Sequence, residues 1–305
     1  MSGQVDRSRL FPPPPNGFTM PFFYASLQSF WVYYLVEPHL IEPYLPKSAP
    51  EQRLKPARFL DGDREYGLVS LDFQRYTGHG PGYLEHTEEV EFNVYAYPEI
   101  RDGNVPLLSW RDYLMGLDQT KTIGGFRIQV PCNNPNAVLA GKGFYGEPKY
   151  AACFEYTVPS PNDASVTTWD YSVSTSIPGP EHLQKEYPFA DLTKPGELIY
   201  RLQADLTGVP TVAANASPLI EYGTEATDPN VVVANYWNFF GAFDTAFLTP
   251  EQAAKVVLTL GTDDDPHRLR HDLQQLVANR LPVAVQTYDS PVCSAEAGPW
   301  FPVAQ

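Results

Sequence analysis

The chain has 305 residues and a formal net charge of −15, with 43% hydrophobic, 13% aromatic and 19% charged residues. An acidic balance of that size repels phosphate backbones and anionic lipid, which excludes nucleic acid and membrane surfaces as partners. No stretch supplies the roughly 18 uninterrupted apolar residues of a membrane span, and the length and composition are those of a globular domain with a substantial core.

In chain order, residues 1–20 read as an extended arm, with a polyproline run from Pro12 to Pro15 and no apolar centre of the secretion-leader kind. Residues 21–305 show no internal repeat or linker and read as one domain. "FWVYYLV" (30–36) is aromatic and β-branched, and "YGLVSLDFQRY" (66–76) alternates apolar with polar. "EEVEFNVYAYP" (88–98) alternates more clearly: Val90, Phe92, Val94 and Ala96 share one face, and Glu89, Glu91, Asn93 and Tyr95 the other. "FRIQVPC", "AACFEYTV", "SVTTWDYSVSTSI", "ELIYRLQADLTG" and "NVVVANYWNFF" continue the strand pattern.

Helical signals are fewer. "EPHLIEPYLP" (37–46) predicts a short helix broken by Pro43, and "LLSWRDYLMGL" (107–117) another. "TPEQAAKVVLTL" carries a capping box from Thr249 to Gln252, with Pro250 at the first helical position. "DPHRLRHDLQQLVANR" predicts a helix from Asp265–Pro266, with Leu269, Leu273 and Leu276 as its buried stripe. Many strands, 31 prolines, few helices and no βαβ rhythm predict a mainly β (β-rich α+β) domain: an antiparallel sheet closed, or nearly closed, into a barrel with a few peripheral helices.

The chain has no GxGxxG, P-loop, HExxH, GxSxG or CxxC motif. Cys132, Cys153 and Cys293 are too scattered for a disulfide framework and read as small buried hydrophobes, which fits a reducing, cytoplasmic compartment. His267 and His271 lie four apart, but Arg268 and Arg270 beside them repel a cation; His79 and His86 read as solvated loop residues. "TDDDP" (262–266) reads as a helix cap. No metal and no cofactor is expected.

Lys149 stands apart. In "GKGFYGEPKY" (141–150), Gly141, Gly143 and Gly146 allow tight turns or close approach, and Pro148 stiffens the entry. Phe144, Tyr145 and Tyr150 supply apolar bulk that desolvates an amine, lowers its pKa and makes it a nucleophile toward carbonyls.

"GKGFYGEPKY" resembles the segment around the Schiff-base lysine of the acetoacetate decarboxylase family. "FRIQVPCNNPNAVLAGKGFYGEPK" aligns without a gap to that family's strand, Asn-rich turn and strand. "FWVYYLVEPHLIEPYLP" resembles its early strand and helix, and "RLPVAVQTYDSPVCSA" its late strand, while residues 100–125 and 178–260 look inserted or diverged. The resemblance implies a cone-like antiparallel β-barrel, a homo-oligomer, and Lys149 as the iminium-forming nucleophile. It also places a carboxylate in "GYLE", so Tyr83 and Glu85 fall at the site, with Glu88 and Glu89 a small register change away.

Two positions depart from the family's decarboxylases. Tyr150 stands where they carry a second lysine, which leaves desolvation alone to lower the pKa of Lys149. Leu27 stands where they carry an arginine proposed to meet the substrate carboxylate, and an apolar side chain cannot make those charged hydrogen bonds. The expected function is a Schiff-base lyase decarboxylating a small-molecule β-keto acid or related oxo-acid or ketone. Lys149 and Glu85 would be catalytic, with Leu27, Tyr83, Glu89, Tyr145 and Tyr150 around the substrate. The aromatic richness suggests a bulkier, less polar substrate than acetoacetate. A pyruvate-type aldolase-dehydratase would use the same iminium. A barrel binding an apolar or carbonyl ligand without covalent chemistry is the reading from another class, and a purely structural subunit is the third.

Overall fold

A computed structural model describes residues 23–80, 83–160, 162–163, 165–177, 191–262 and 265–290, of which 80, 83–85, 144–145, 177 and 191–194 are described in backbone alone. The arm of residues 1–20 and Cys293 lie outside the described residues. The strands are β1 (Tyr24–Val36), β2 (Leu54–Pro56), β3 (Phe59–Asp61), β4 (Arg64–Gly80), β5 (Tyr83–Pro98), β6 (Leu108–Ser109), β7 (Gly124–Cys132) and β8 (Lys149–Thr157). They continue as β9 (Thr168–Ile177), β10 (Asp191–Asp205), β11 (Val212–Ala214), β12 (Leu219–Thr224), β13 (Val232–Trp237), β14 (Phe243–Phe247), β15 (Val256–Leu260) and β16 (Ala284–Asp289). The α-helices are α1 (Trp110–Leu114), α2 (Pro135–Tyr145), α3 (Pro250–Ala253) and α4 (Leu269–Leu276).

The strands form one sheet whose main path runs β11-β14-β16-β1-β4-β5-β7-β8-β9-β10-β15. The expected closed barrel is corrected here: the sheet is not closed by hydrogen bonds, and its path ends at β11 and β15. Alternation along a strand reports which faces are buried; it does not report whether the outermost strands meet. The sheet is also mixed. β7 pairs β8 and β12 in parallel, and β3 pairs β6 in parallel. Parallel neighbours need a crossover connection, and α2 supplies it between β7 and β8.

Both faces of the central strands are buried, and the period-2 pattern sorts their residues between two cores. On β5, Val90, Phe92, Val94 and Ala96 join one hydrophobic core with Phe30, Val32 and Tyr34 of β1 and Val69, Leu71 and Phe73 of β4. The alternate residues face a second, aromatic core that includes Leu27, Trp31 and Tyr33 of β1, Tyr76 of β4 and Tyr95 and Tyr97 of β5. The polar residues Glu89, Glu91 and Asn93 of β5 point to this second side and are buried there.

The helical segments follow local chemistry with shorter extents than the pattern predicts. Thr249 and Gln252 form the capping box, but α3 ends at Ala253 and the β-branched Val256–Leu260 run pairs with β10 instead. Asp265 accepts from the backbone N–H groups of His267, Leu269 and Arg270 ahead of α4, which begins at Leu269 after Arg268 in a left-handed conformation. Leu269, Leu273 and Leu276 are fully buried. Residues 37–46 make two 3-10 turns, Pro38–Leu40 and Glu42–Tyr44, and Ser109 caps α1. No helix among the described residues is long and apolar enough to cross a membrane.

The first core is clamped across its thickness by rings. Phe73 of β4 stacks on Tyr171 of β9 with centroids 4.4 Å apart and an interplanar angle of 11°. Phe73 is fully buried, so Phe73→Ala is expected to lower unfolding free energy by about 3–5 kcal/mol. Urea denaturation measures this, and a loss below about 1 kcal/mol would show that the ring does not hold the two strands together.

Candidate functional site

Lys149 is the first residue of β8, and the way α2 ends determines where its side chain goes. Asn134 caps the start of α2, accepting from the N–H groups of Asn136 and Ala137, with Pro135 in the first turn. The helix closes on Gly146, which takes the left-handed conformation (φ 57°) that only glycine adopts freely. The segment expected to be a glycine-rich turn is thus mostly helix. Gly141 has a different use: a Cβ there would lie 2.7 Å from Lys149 Cδ and would also strike the Glu147 carboxylate, so the missing side chain is the space those two groups occupy.

Parallel pairing of Val130 with Lys149, and antiparallel pairing of Glu89 with Cys132, turn Lys149 and Glu89 to the same side of the sheet. The Lys149 amine, 5% exposed, lies 2.7 Å from Glu89 Oε2 and 3.4 Å from Glu147 Oε2. Tyr76 donates its phenolic O–H to the same Glu89 oxygen at 3.0 Å. Beside this pair, the buried Arg127 guanidinium bonds Glu91, Glu147 and Glu221, the last at 2.5 Å. Trp237 donates its indole N–H to Glu221 and lies under the guanidinium, 5.5 Å from ring centroid to Cζ. Glu147 touches both cations, so Lys149 and Arg127 belong to one network.

The electrostatics reverse the expectation of an amine activated by a dry aromatic wall. Burial does lower the Lys149 pKa, but Glu89 and then Glu147 raise it by more, and the net position is well above the ordinary lysine value. The reason is alternation: Tyr150 follows Lys149 and faces the other side of β8, where it stacks on the His267 ring at 3.7 Å. Burial raises the Glu147 carboxyl, yet Arg127 and Lys149 bring it below the usual range. Burial pushes Asp72, Glu91 and Glu221 up, with Glu91 adding to the effect on Asp72.

A cavity of about 80 Å³ lies against this network, walled by rings such as Trp31, Tyr33, Tyr95 and Phe239 and by the polar side chains of Asp72, Glu91, Asn93, Arg127 and Glu221. That is about half the volume known to enclose benzene, so the enclosed space suits a small ligand rather than the bulky one suggested by aromatic content. Leu27 lines it, and its N–H donates to Ser290 Oγ at 2.7 Å. Lys149 does not line it, whereas Arg127 and Tyr24 do, and the Tyr24 phenol interacts electrostatically with Glu89 and Lys149.

Of the residues singled out in the sequence, the structure brings together Lys149 and Glu89, with Leu27 on the cavity wall. Tyr150 is carried to the opposite face. Glu88 also faces away, bonded to Asn133, His86 and Tyr156. Glu85 and Tyr83 lie on β5 opposite Gly78 and Gly80, and Tyr145 ends α2; their side chains are outside the described residues. His267 precedes α4, so it does not share a helix with His271, and among the described residues no His, Cys, Asp or Glu group is arranged to hold a metal. Cys132 and Cys153 are buried, and neither is in a disulfide.

Sequence reasoning missed Arg127, Asp72, Glu147 and Glu221 as members of the site. The available signal was the acidic face of "SLDFQ" and "EEVEFN" on strands whose other face is wholly apolar.

Two solved structures are similar to this chain in their path. One is an acetoacetate decarboxylase, 10% identical, with a TM-score of 0.49 and coverage of 90% of this chain and 87% of that one. The other is acetoacetate decarboxylase from Legionella pneumophila subsp. pneumophila str. Philadelphia 1, 13% identical, with a TM-score of 0.48 and coverage of 95% and 92%. No family model matches the chain, and no curated protein matches it.

The shifted carboxyls set a pH dependence. Glu147, lowered in the fold, adds stability above the ordinary glutamate value of about 4.3 and loses it as pH falls further. Asp72, Glu91 and Glu221, raised in the fold, favour it fully below their ordinary values and progressively less as pH rises through the shifted ones. Lys149, also raised, is stabilising until pH exceeds about 10.4. The urea midpoint is therefore expected to be higher near pH ~5.5 than near pH ~8.5. Glu221→Gln should flatten that slope, and a midpoint that climbs toward pH ~8.5 in the unaltered protein would contradict the assignment.

Proposed function

We propose that this chain is a Schiff-base-forming lyase in which Lys149 condenses with a carbonyl and the iminium takes up the electron pair of a neighbouring carbon–carbon bond. The observation that carries this reading is a buried amine with a carboxylate acceptor, Glu89, at 2.7 Å, on the lysine that the "GKGFYGEPKY" resemblance marks as the nucleophile.

The resting amine is an ammonium, held so by its carboxylates. Attack on a carbonyl needs the neutral form, so its proton passes to Glu89, the nearest acceptor, as the substrate arrives. Tyr76 fixes that carboxylate in place. The neutral amine adds to the carbonyl carbon, Glu89 returns its proton to the carbinolamine hydroxyl, and loss of water leaves the iminium. From there, loss of carbon dioxide from a β-keto acid gives an enamine that is then protonated; aldol addition with dehydration uses the same enamine as a carbon nucleophile.

One observation favours a second reading, a cavity that binds a carbonyl ligand without covalent chemistry. The amine is paired with two carboxylates and does not line the cavity.

Incubation with acetoacetate, pyruvate or butanone plus cyanoborohydride, followed by peptide mass mapping, separates the two. The lyase reading expects an adduct on the Lys149 peptide that disappears in Lys149→Ala and forms about 100-fold more slowly in Glu89→Gln. Saturable butanone binding with no adduct would favour the non-covalent reading. An adduct that persists in Lys149→Ala would move the chemistry to another amine.

A further inference from the structure

The cavity wall holds a polar atom that no described residue satisfies. Asp72 is 2% exposed and lines the cavity. Its Oδ2 accepts from Gln74 Nε2 at 2.7 Å, and its Oδ1 has no partner. A buried carboxyl oxygen left unpaired is costly, so a ligand that completes it gains that energy on binding. Asp72 sits on β4 directly across from Glu91 of β5, one step along the same face from the Gln74–Glu89 pair. Positions two apart on a strand are about 7 Å apart. A small molecule lying in the cavity can therefore touch Asp72 at one end while its other end approaches the Glu89–Lys149 side.

The walls discriminate by charge. Asp72, Glu91, Asp118 and Glu221 face the cavity against two cations, Arg127 and Lys121. Arg127 already meets three carboxylates, and Lys121 donates to the Ala216 carbonyl at 2.9 Å. An incoming carboxylate meets walls with four acids against two cations and must shed its water beside them. A ligand cation fares little better, because the Trp237 face that would cradle it already carries the Arg127 guanidinium. Burial and the facing Glu91 favour the protonated form of Asp72, which makes its free oxygen able to donate.

We propose that the cavity takes a small uncharged carbonyl compound, an aldehyde or ketone, whose oxygen accepts a hydrogen bond from Asp72, and that it turns away free carboxylates. The inference rests on the lyase reading for what the carbonyl meets next, and it selects among that reading's substrates: a free β-keto acid is not one of them.

Ligand-observed NMR titration without reductant tests it, using three probes of nearly one shape: butanone, propanoate and propylammonium. Butanone is expected to bind at least tenfold more tightly than propanoate or propylammonium. Asp72→Asn, whose amide still donates, should keep butanone affinity within about threefold, and Asp72→Leu should lose at least tenfold. Propanoate binding as well as butanone would overturn the proposal, as would failure of all three to bind. Propylammonium binding most tightly, with that binding lost in Asp72→Asn, would overturn it in favour of an amine site. Loss of reductive trapping with butanone selectivity intact sinks the lyase reading alone; trapping on Lys149 with propanoate preferred sinks this one alone.

Discussion

Charge matching around Arg127 is the constraint from which the interior of this protein is organised. A guanidinium removed from water needs its charge compensated, and Glu91, Glu147 and Glu221 surround this one at ion-pair distance. Those three acids come from β5, from the end of the α2 crossover and from β12, so one side chain ties together three parts of the chain far apart in sequence. A local slip in any of them would leave a carboxylate buried without a partner. A well-packed apolar core tolerates small rearrangements; a network of this kind demands one register.

The register is visible in the backbone. Between Phe92 and Asn93 the β5–β7 pairing shifts by a bulge, and the residue that then falls opposite Asn93 is Arg127. Bulges re-aim side chains, and this one delivers Arg127 to the cavity side while Phe126 and Ile128 stay with the apolar core. The parallel step from β7 to β8 does the same for Lys149. Because α2 returns the chain beside Val130, the lysine starts its strand next to Glu89 and not at a solvated edge.

The chemistry proposed for the site follows from this arrangement more than from desolvation. An amine beside two carboxylates is a strong base at rest, yet its proton has a nearby acceptor, so activation is a short transfer within a pair and not a permanent loss of charge. The same acid-rich surroundings suit a cationic iminium and disfavour an anionic substrate.

The sequence by itself determined the strands and the division of their faces: the alternation in "EEVEFNVYAYP" names Val90, Phe92, Val94 and Ala96 for one core and Glu89, Glu91 and Asn93 for the other side. It also carried the capping box at Thr249, the leucine stripe of α4 and the singular placement of Lys149. Tertiary structure decided that the polar side of β5 would be buried and not solvated, because the second aromatic core covers it. It decided that the sheet would be open and partly parallel, and that Tyr150 would leave the lysine's side. Local patterns carry periodicity and caps; which distant strand arrives opposite a given carboxylate is a property of the assembled sheet, and Arg127 finds its three partners only there.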